Sequence, residues 1–335
     1  MRRRVIFGCS GPVLDPAERD FFRAVQPWGF ILFGRNVQTR QQVRALTDAL
    51  RETVGDAKAP VLIDQEGGRV VRLKPPQWQP HPPQAVFGKL HDTDPERARE
   101  AAYLNARLIA DDLVAIGVNV DCLPVLDVPV HGAHDVIGDR AFAADPAVVI
   151  ELGRAVIDGL MEGGVLPVMK HAPGHGRAHC DTHLALPHVT ATLEQLSAAD
   201  FVTFRSLAHC PMAMTAHVVY DAVDPNRPAT LSPRVIRDVI RGEIGYQGLL
   251  MSDDLSMAAL SGPLSSRAKA ALFAGCDVVL HCNGAMAEMT EVAAEAGPLD
   301  GPWGKRAEAA MSHLCEPGRF DRTAADARLN ELLVA

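Results

Sequence analysis

Apolar residues recur in eight short runs: Val5–Cys9, Gly29–Gly34, Pro60–Gln65, Val118–Asp127, Val165–Lys170, Met212–Val218, Gly248–Asp254 and Asp277–Asn283. Within each run the apolar positions are nearly continuous rather than alternating. That is the pattern of strands buried on both faces. Helical periodicity fills the intervals, over Asp15–Gln26, Gln38–Val54, Asp94–Ile116, Asp145–Glu162, Thr192–Leu207, Ser232–Ile244, Ser265–Ala274 and Ala285–Ala296. Two of these open on Asp145-Pro146 and Ser232-Pro233, an N-cap followed by a proline fit for the first helical turn. Strands alternating with helices imply parallel βαβ units, and eight of them predict an α/β fold closed as a single-domain (β/α)8 barrel of the TIM type. An open doubly wound sheet is the rival, but it needs fewer strands. The Gly8–Gly11 turn reads GCSG and lacks the GxGxxG spacing of a dinucleotide site. The barrel is expected over residues 1–290. Residues 291–335, with Gly-Pro punctuation and then helical patterning, are expected as a helical extension packed on the barrel exterior.

Length alone, 335 residues, suggests about two domains, and the barrel is the known exception to that rule. Apolar residues at 47% and charged residues at 22% exclude a disordered or low-complexity chain. The net charge of −8 argues against nucleic acid or an anionic membrane as partner. The seven cysteines are odd in number and form no CxxC, unlike a disulfide framework or a zinc ribbon, and reduced thiols point to the cytoplasm. The opening MRRRVIFGCSG has a basic start, but its apolar run, Val5–Phe7, is too short for a signal core.

Polar residues close the apolar runs. The third ends at Asp64-Gln65-Glu66, the fourth at Asp127, the fifth at Lys170-His171, the sixth at His217, the seventh at Asp253-Asp254 and the eighth at His281 and Asn283. In a barrel these ends converge on one face, where the active site sits. The loop after the fifth run, KHAPGHGRAHCDTHLALP (170–187), carries histidines at 171, 175, 179 and 183. That spacing would form a metal stripe on a helix, but Pro173, Gly174 and Gly176 oppose a continuous helix. Asp181 and His183, two apart, suit a carboxylate–imidazole pair that holds one tautomer. Of the adjacent aspartates, Asp253 is expected to face the pocket and Asp254 to cap or pair structurally. Asp64 with Arg72 near the same mouth suits a polyol.

Taken together, these stretches resemble the family 3 glycoside hydrolases, and within them the bacterial cytoplasmic β-N-acetylglucosaminidases of peptidoglycan recycling. The resemblance rests on IDQEGGRV (63–70), IGDR (137–140), KHAPGHG (170–176) with DTH (181–183), TAHVVYDAVDPNRPAT (215–230) and SDDLSM (252–257). It spans roughly residues 3 to 290. Ala172 departs from it, standing where the family usually has Phe. The resemblance implies a retaining two-step mechanism acting on terminal N-acetylglucosamine of muropeptides, with no cofactor and no metal. Asp253 would be the nucleophile, His183 the proton donor and acceptor, and Asp181 the residue that orients it. Asp64, Arg72, Arg140, Lys170 and His171 would surround the sugar, with His217 and Asn283 as further contacts. The larger relatives carry a second domain, and the residues after Asn283 are too few for one. The acid/base is therefore expected from the barrel, on a loop that closes over the sugar. A monomer is the default expectation. Three other readings stay open at this level: a metal-dependent barrel hydrolase, a non-catalytic sugar sensor, and transfer of the glycosyl group to phosphate instead of water.

Overall fold

A computed structural model describes residues 1–180, 182 and 185–334. Eight strands close into a barrel: β1 (Arg3–Gly8), β2 (Pro27–Leu32), β3 (Val61–Ile63), β4 (Val120–Asp121), β5 (Leu166–Ala172), β6 (Met212–Thr215), β7 (Leu249–Asp254) and β8 (Val278–His281). Every neighbouring pair is parallel, and β1 pairs with β8 to complete the ring, Val5 opposite Val279. Alternate residues of each strand divide between two apolar clusters. Ile6, Ile31, Leu62, Val168, Met214, Met251 and Leu280 fill the barrel interior. Phe7, Phe30, Ile63, Met169, Leu250 and Val279 face the surrounding helices. Burial on both faces is what the continuous apolar runs required.

Helix starts follow their caps. Asp15 accepts from the Ala17 amide and forms a capping box with Glu18 ahead of the helix Pro16–Val25. Asp94 and Asp145 cap Pro95–Ala115 and Pro146–Glu162 by accepting from the Arg97 and Ala147 amides, each with proline in the first turn. The segment after Ser232-Pro233 winds more loosely, with i→i+5 spacing, over Val235–Glu243. The fourth strand is shorter than its apolar run. The ladder stops at Asp121, and Pro124 beyond it has no N–H to donate. The chain stays extended there, with Lys170 N–H donating to Pro124 O and Leu126 N–H to Lys170 O.

Three short strands escaped the pattern: His188–Val189, Val219–Tyr220 and Asp224–Pro228. Their sheet ties the end of the loop after β5 to the loop after β6. The tail also differs from expectation. The expected division at residue 290 falls inside the last barrel helix, Met286–Glu295. The next helix, Gly301–Ser312, closes the floor of the barrel, sending Ala307 and Ala310 into the interior cluster. Only the final helix, Arg322–Leu333, lies on the outside, held by Arg322 to Asp111 and Asp112. Among the described residues no helix is long and apolar enough to cross a membrane.

The floor is fastened by Asp277, fully buried at the start of β8. Its carboxylate accepts from Arg241 at 2.8 Å, from Arg306 of the floor helix at 2.6 Å and from the Leu250 amide at 2.8 Å. A buried carboxylate this well satisfied is costly to remove, because its cations stay behind. Asp277→Ala is expected to lower the unfolding free energy by about 3 kcal/mol or more. Urea titration with an unchanged m-value checks it, and a loss below about 0.5 kcal/mol would contradict it.

Candidate active site

The strand ends converge on a cavity of about 270 Å³ at the C-terminal mouth of the barrel. Its polar wall comes from β3, β5 and β7, the loops that follow them, and Arg140 in the segment after β4. Asp64 and Glu66 follow β3, and Lys170 and His171 lie within β5. Lys170 is only 2% exposed, and its ammonium sits 2.9 Å from Asp64 Oδ1 and 2.6 Å from Glu66 Oε1. Arg72 donates to the other Asp64 oxygen at 2.9 Å. Arg140 grips Glu66 with two bonds of 2.8 and 2.9 Å. Two carboxylates and three cations thus form one chain: Arg72–Asp64–Lys170–Glu66–Arg140. Burial alone would push both carboxyls up in pKa, but Lys170 with Arg72 holds Asp64 well below the usual carboxylate range. Lys170 and Arg140 do the same for Glu66. Burial likewise opposes the Lys170 charge, and Asp64 and Glu66 overcome it and keep the ammonium protonated.

Asp127 organises the next segment. Its Oδ2 accepts from His171 Nδ1 at 2.7 Å, and its Oδ1 accepts from the His171 and His175 amides at 3.1 and 2.7 Å. The short carboxylate contact assigns the His171 proton to Nδ1 and leaves Nε2 beside Arg140, 3.5 Å from Nη2. The neighbouring His171 with its hydrogen bond, then His175 and its amide, offset burial and hold the Asp127 carboxyl down at about 2. The loop backbone fits closely here. A Cβ at Gly176 would lie 1.9 Å from the Val128 carbonyl oxygen, so only glycine passes.

Asp253, next to last in β7, lies in the cavity wall, with Oδ1 accepting from the Asp254 amide at 2.8 Å. Burial works against its charge, but His217, His171, that amide and Lys170 hold the carboxyl below its ordinary value. Asp254 turns its carboxylate to structure, accepting from the Ser256 amide at 3.1 Å and the Cys282 amide at 3.2 Å. Both aspartates line the cavity, and the Asp254 carboxylate also anchors a turn rather than capping a helix. An ionised carboxylate with one oxygen uncommitted among the described residues, in a small cavity rich in paired donors and acceptors, suits attack on a polyol derivative.

Asp64, Arg72, Arg140, Lys170, His171 and Asp253, all expected at the site, line this one cavity. His217 does not. It is fully buried behind the wall, with Nδ1 on Thr230 Oγ1 at 2.8 Å and Nε2 donating to the Asp254 carbonyl at 2.9 Å. Both nitrogens are committed, so it braces β7. Asn283 is also elsewhere, bonded to Glu288 and to the Ala285 amide in an exposed turn. His281 packs edge-on to Phe7, away from the cavity. Asp181 and His183 lie outside the described residues. Thr182 between them is in the cavity wall, and its carbonyl accepts from the Ala259 amide at 3.1 Å. Sequence reasoning passed over Glu66, Asp127 and His175 as site residues, though each stands in a stretch it singled out. Among the described residues no three His, Cys, Asp or Glu side chains converge as metal ligands.

Comparison with known proteins agrees with this geometry. Residues 18–302 match the glycosyl hydrolase family 3 N-terminal domain. The chain is 44% identical over 285 residues to a β-hexosaminidase of Alkalilimnicola ehrlichii, covering 83% of this chain and 80% of that protein. It is 39% identical over 283 residues to a β-hexosaminidase of Bordetella avium, with 83% and 80% covered. The crystal structure of native NagZ from Neisseria gonorrhoeae superposes with a TM-score of 0.87 at 32% identity, covering 100% of this chain and 98% of that one. A barrel that gathers its charged groups at one mouth, and a family match across most of its length, lead to one assignment: the chain is a glycoside hydrolase belonging to glycosyl hydrolase family 3.

Proposed function

We propose that this enzyme is a retaining exo-β-N-acetylglucosaminidase that removes terminal N-acetylglucosamine from muropeptides during peptidoglycan recycling in the cytoplasm. Its broader class is β-N-acetylhexosaminidase, the activity named for its β-hexosaminidase relatives. The observation that carries the finer reading is Asp253: a half-buried carboxylate kept ionised, with one oxygen unbonded among the described residues, in the wall of a cavity with room for one sugar ring. A NagZ from Neisseria gonorrhoeae binds N-trifluoroacetyl-D-glucosamine, which supports an N-acylated glucosamine as the sugar. The free state of all seven cysteines suits a reducing compartment.

In the first step an Asp253 oxygen attacks the anomeric carbon. The bond to the aglycone oxygen breaks, and that oxygen takes a proton from His183. In the second step water attacks the same carbon, its proton passes to His183, and the bond to Asp253 breaks. Asp181 would hold the His183 tautomer throughout. An imidazole suits both directions of proton transfer, with an ordinary pKa near ~6.5. It also avoids a second carboxylate beside the nucleophile. Lys170, Arg72 and Arg140 would donate to sugar hydroxyls, Asp64 and His171 would accept, and Glu66 would fix the cations. A cavity of about 270 Å³ has room for one terminal sugar ring, which supports exo action.

Asp253→Asn is expected to lose roughly 10³-fold or more in kcat on a nitrophenyl N-acetylglucosaminide, because no covalent intermediate can form. Near-normal turnover would end the assignment, as would mapping a 5-fluoro sugar label to another residue. His183→Ala should spare dinitrophenyl leaving groups and fail on alkyl aglycones, which need protonation. An equal loss on both would remove the acid role. Glu66→Gln frees Lys170 and Arg140 from one anion and should raise KM about 10-fold or more with a smaller change in kcat. An unchanged KM would show that the cations need no such anchor.

A further inference from the structure

The charged chain Arg72–Asp64–Lys170–Glu66–Arg140 ends at both sides in an arginine that lies on a loop. Arg72 follows the Gly67–Val70 turn, and Arg140 closes a single tight turn, Gly138–Arg140. No strand ladder of the barrel reaches either backbone. Two buried glutamines do. Gln65 is 1% exposed and Gln84 is 3% exposed, and neither lines the cavity.

Gln65 stands between Asp64 and Glu66, with its own amide donating to Asp121 Oδ1 at 3.0 Å. Its side-chain Oε1 accepts from the Arg72 and Leu73 amides, both at 3.0 Å, and its Nε2 donates to the Leu73 carbonyl at 3.4 Å. Gln84 opens the helix Gln84–His91 and works on the other end of the chain. Its Nε2 donates to the Arg140 carbonyl at 2.7 Å and to the Val125 carbonyl at 2.9 Å, and its Oε1 accepts from the Val125 amide at 3.1 Å. The two devices match. Each side-chain amide pairs with both the N–H and the C=O of one residue, Leu73 or Val125. Each then spends its remaining capacity on the backbone of an arginine: Gln65 through the second lone pair of its oxygen, Gln84 through the second N–H of its nitrogen. A guanidinium that meets a sugar from a loop is useful only if its backbone starts from a fixed point, because a displacement of about 1 Å is costly in rate.

We infer that Gln65 and Gln84 are positioning residues for the sugar, which set the two outer guanidiniums of the site by holding the backbones of Arg72 and Arg140. The inference rests on the sugar-hydrolase reading of the cavity, in which those guanidiniums donate to the ring. Neither glutamine touches the substrate, so each acts on it through one arginine.

Two double-mutant cycles test this on a fluorogenic N-acetylglucosaminide: Gln65→Met with Arg72→Ala, and Gln84→Met with Arg140→Ala. In the otherwise wild-type enzyme each Met variant is expected to lose about 10-fold or more in kcat/KM, chiefly through KM. With the partner arginine already removed, the same substitution should cost about twofold or less, because the group it positions is gone. A glutamine that only supports the fold would cost the same factor in both backgrounds. That equal loss, or no loss in the wild-type background, overturns the inference. Should a Met variant fail to fold by circular dichroism, Gln65→Asn or Gln84→Asn, which keeps the amide and shortens its reach, enters the same cycle under the same criteria. Wild-type turnover tells two failures apart. A wild type inactive on the glycoside ends the hydrolase reading and the inference with it, whereas an active wild type with additive cycles ends the inference alone.

Discussion

An ammonium group with almost no access to water needs full compensation, and Lys170 obtains it from Asp64 on one side and Glu66 on the other. That requirement fixes the site. The two carboxylates come from the turn after β3, the lysine from β5, and Arg140 from the loop between β4 and β5. Three separate parts of the chain are thereby held at one spacing. The charges also explain why ionised groups persist where burial alone would neutralise them. Asp253 benefits from the same surplus of nearby positive charge. The cavity is then a preorganised set of donors and acceptors whose geometry precedes the substrate.

The barrel was legible because strands buried on both faces leave continuous apolar runs, and eight of them alternate with helical patterning. Its details were less so. The run Val118–Asp127 looks like one strand, yet the ladder stops at Asp121, since the later residues bond to β5 out of step. Strands of two residues, such as His188–Val189, carry no periodicity at all. The tail reads as an amphipathic exterior helix. That Ala307 and Ala310 instead close the barrel floor depends on the partner surface, which no local pattern describes.

The site shows the same division. Asp64, Lys170 and Asp253 stand out as polar ends of apolar runs. Glu66 is two residues from Asp64 and has no local feature to distinguish it; its role comes from Arg140, far away in sequence. His217 has all the sequence marks of a contact residue, and only the committed Thr230 and Asp254 oxygens place it behind the wall. His175 and His179 are equivalent in spacing, yet one is buried against His171 and the other is exposed. The difference lies in the Asp127 carboxylate and in the glycines that let the backbone reach it.

Ring closure has a consequence for how the molecule forms. The first strand finds its second neighbour only in the eighth, Val5 beside Val279, and the floor helix engages Arg4 through the Trp303 ring. A ribosome delivers these segments at opposite ends of its schedule. Until β8 emerges, β1 presents an open edge and an unsealed interior, a surface prone to wrong pairing. Closure of the barrel therefore waits for β8, the last of its strands to be made.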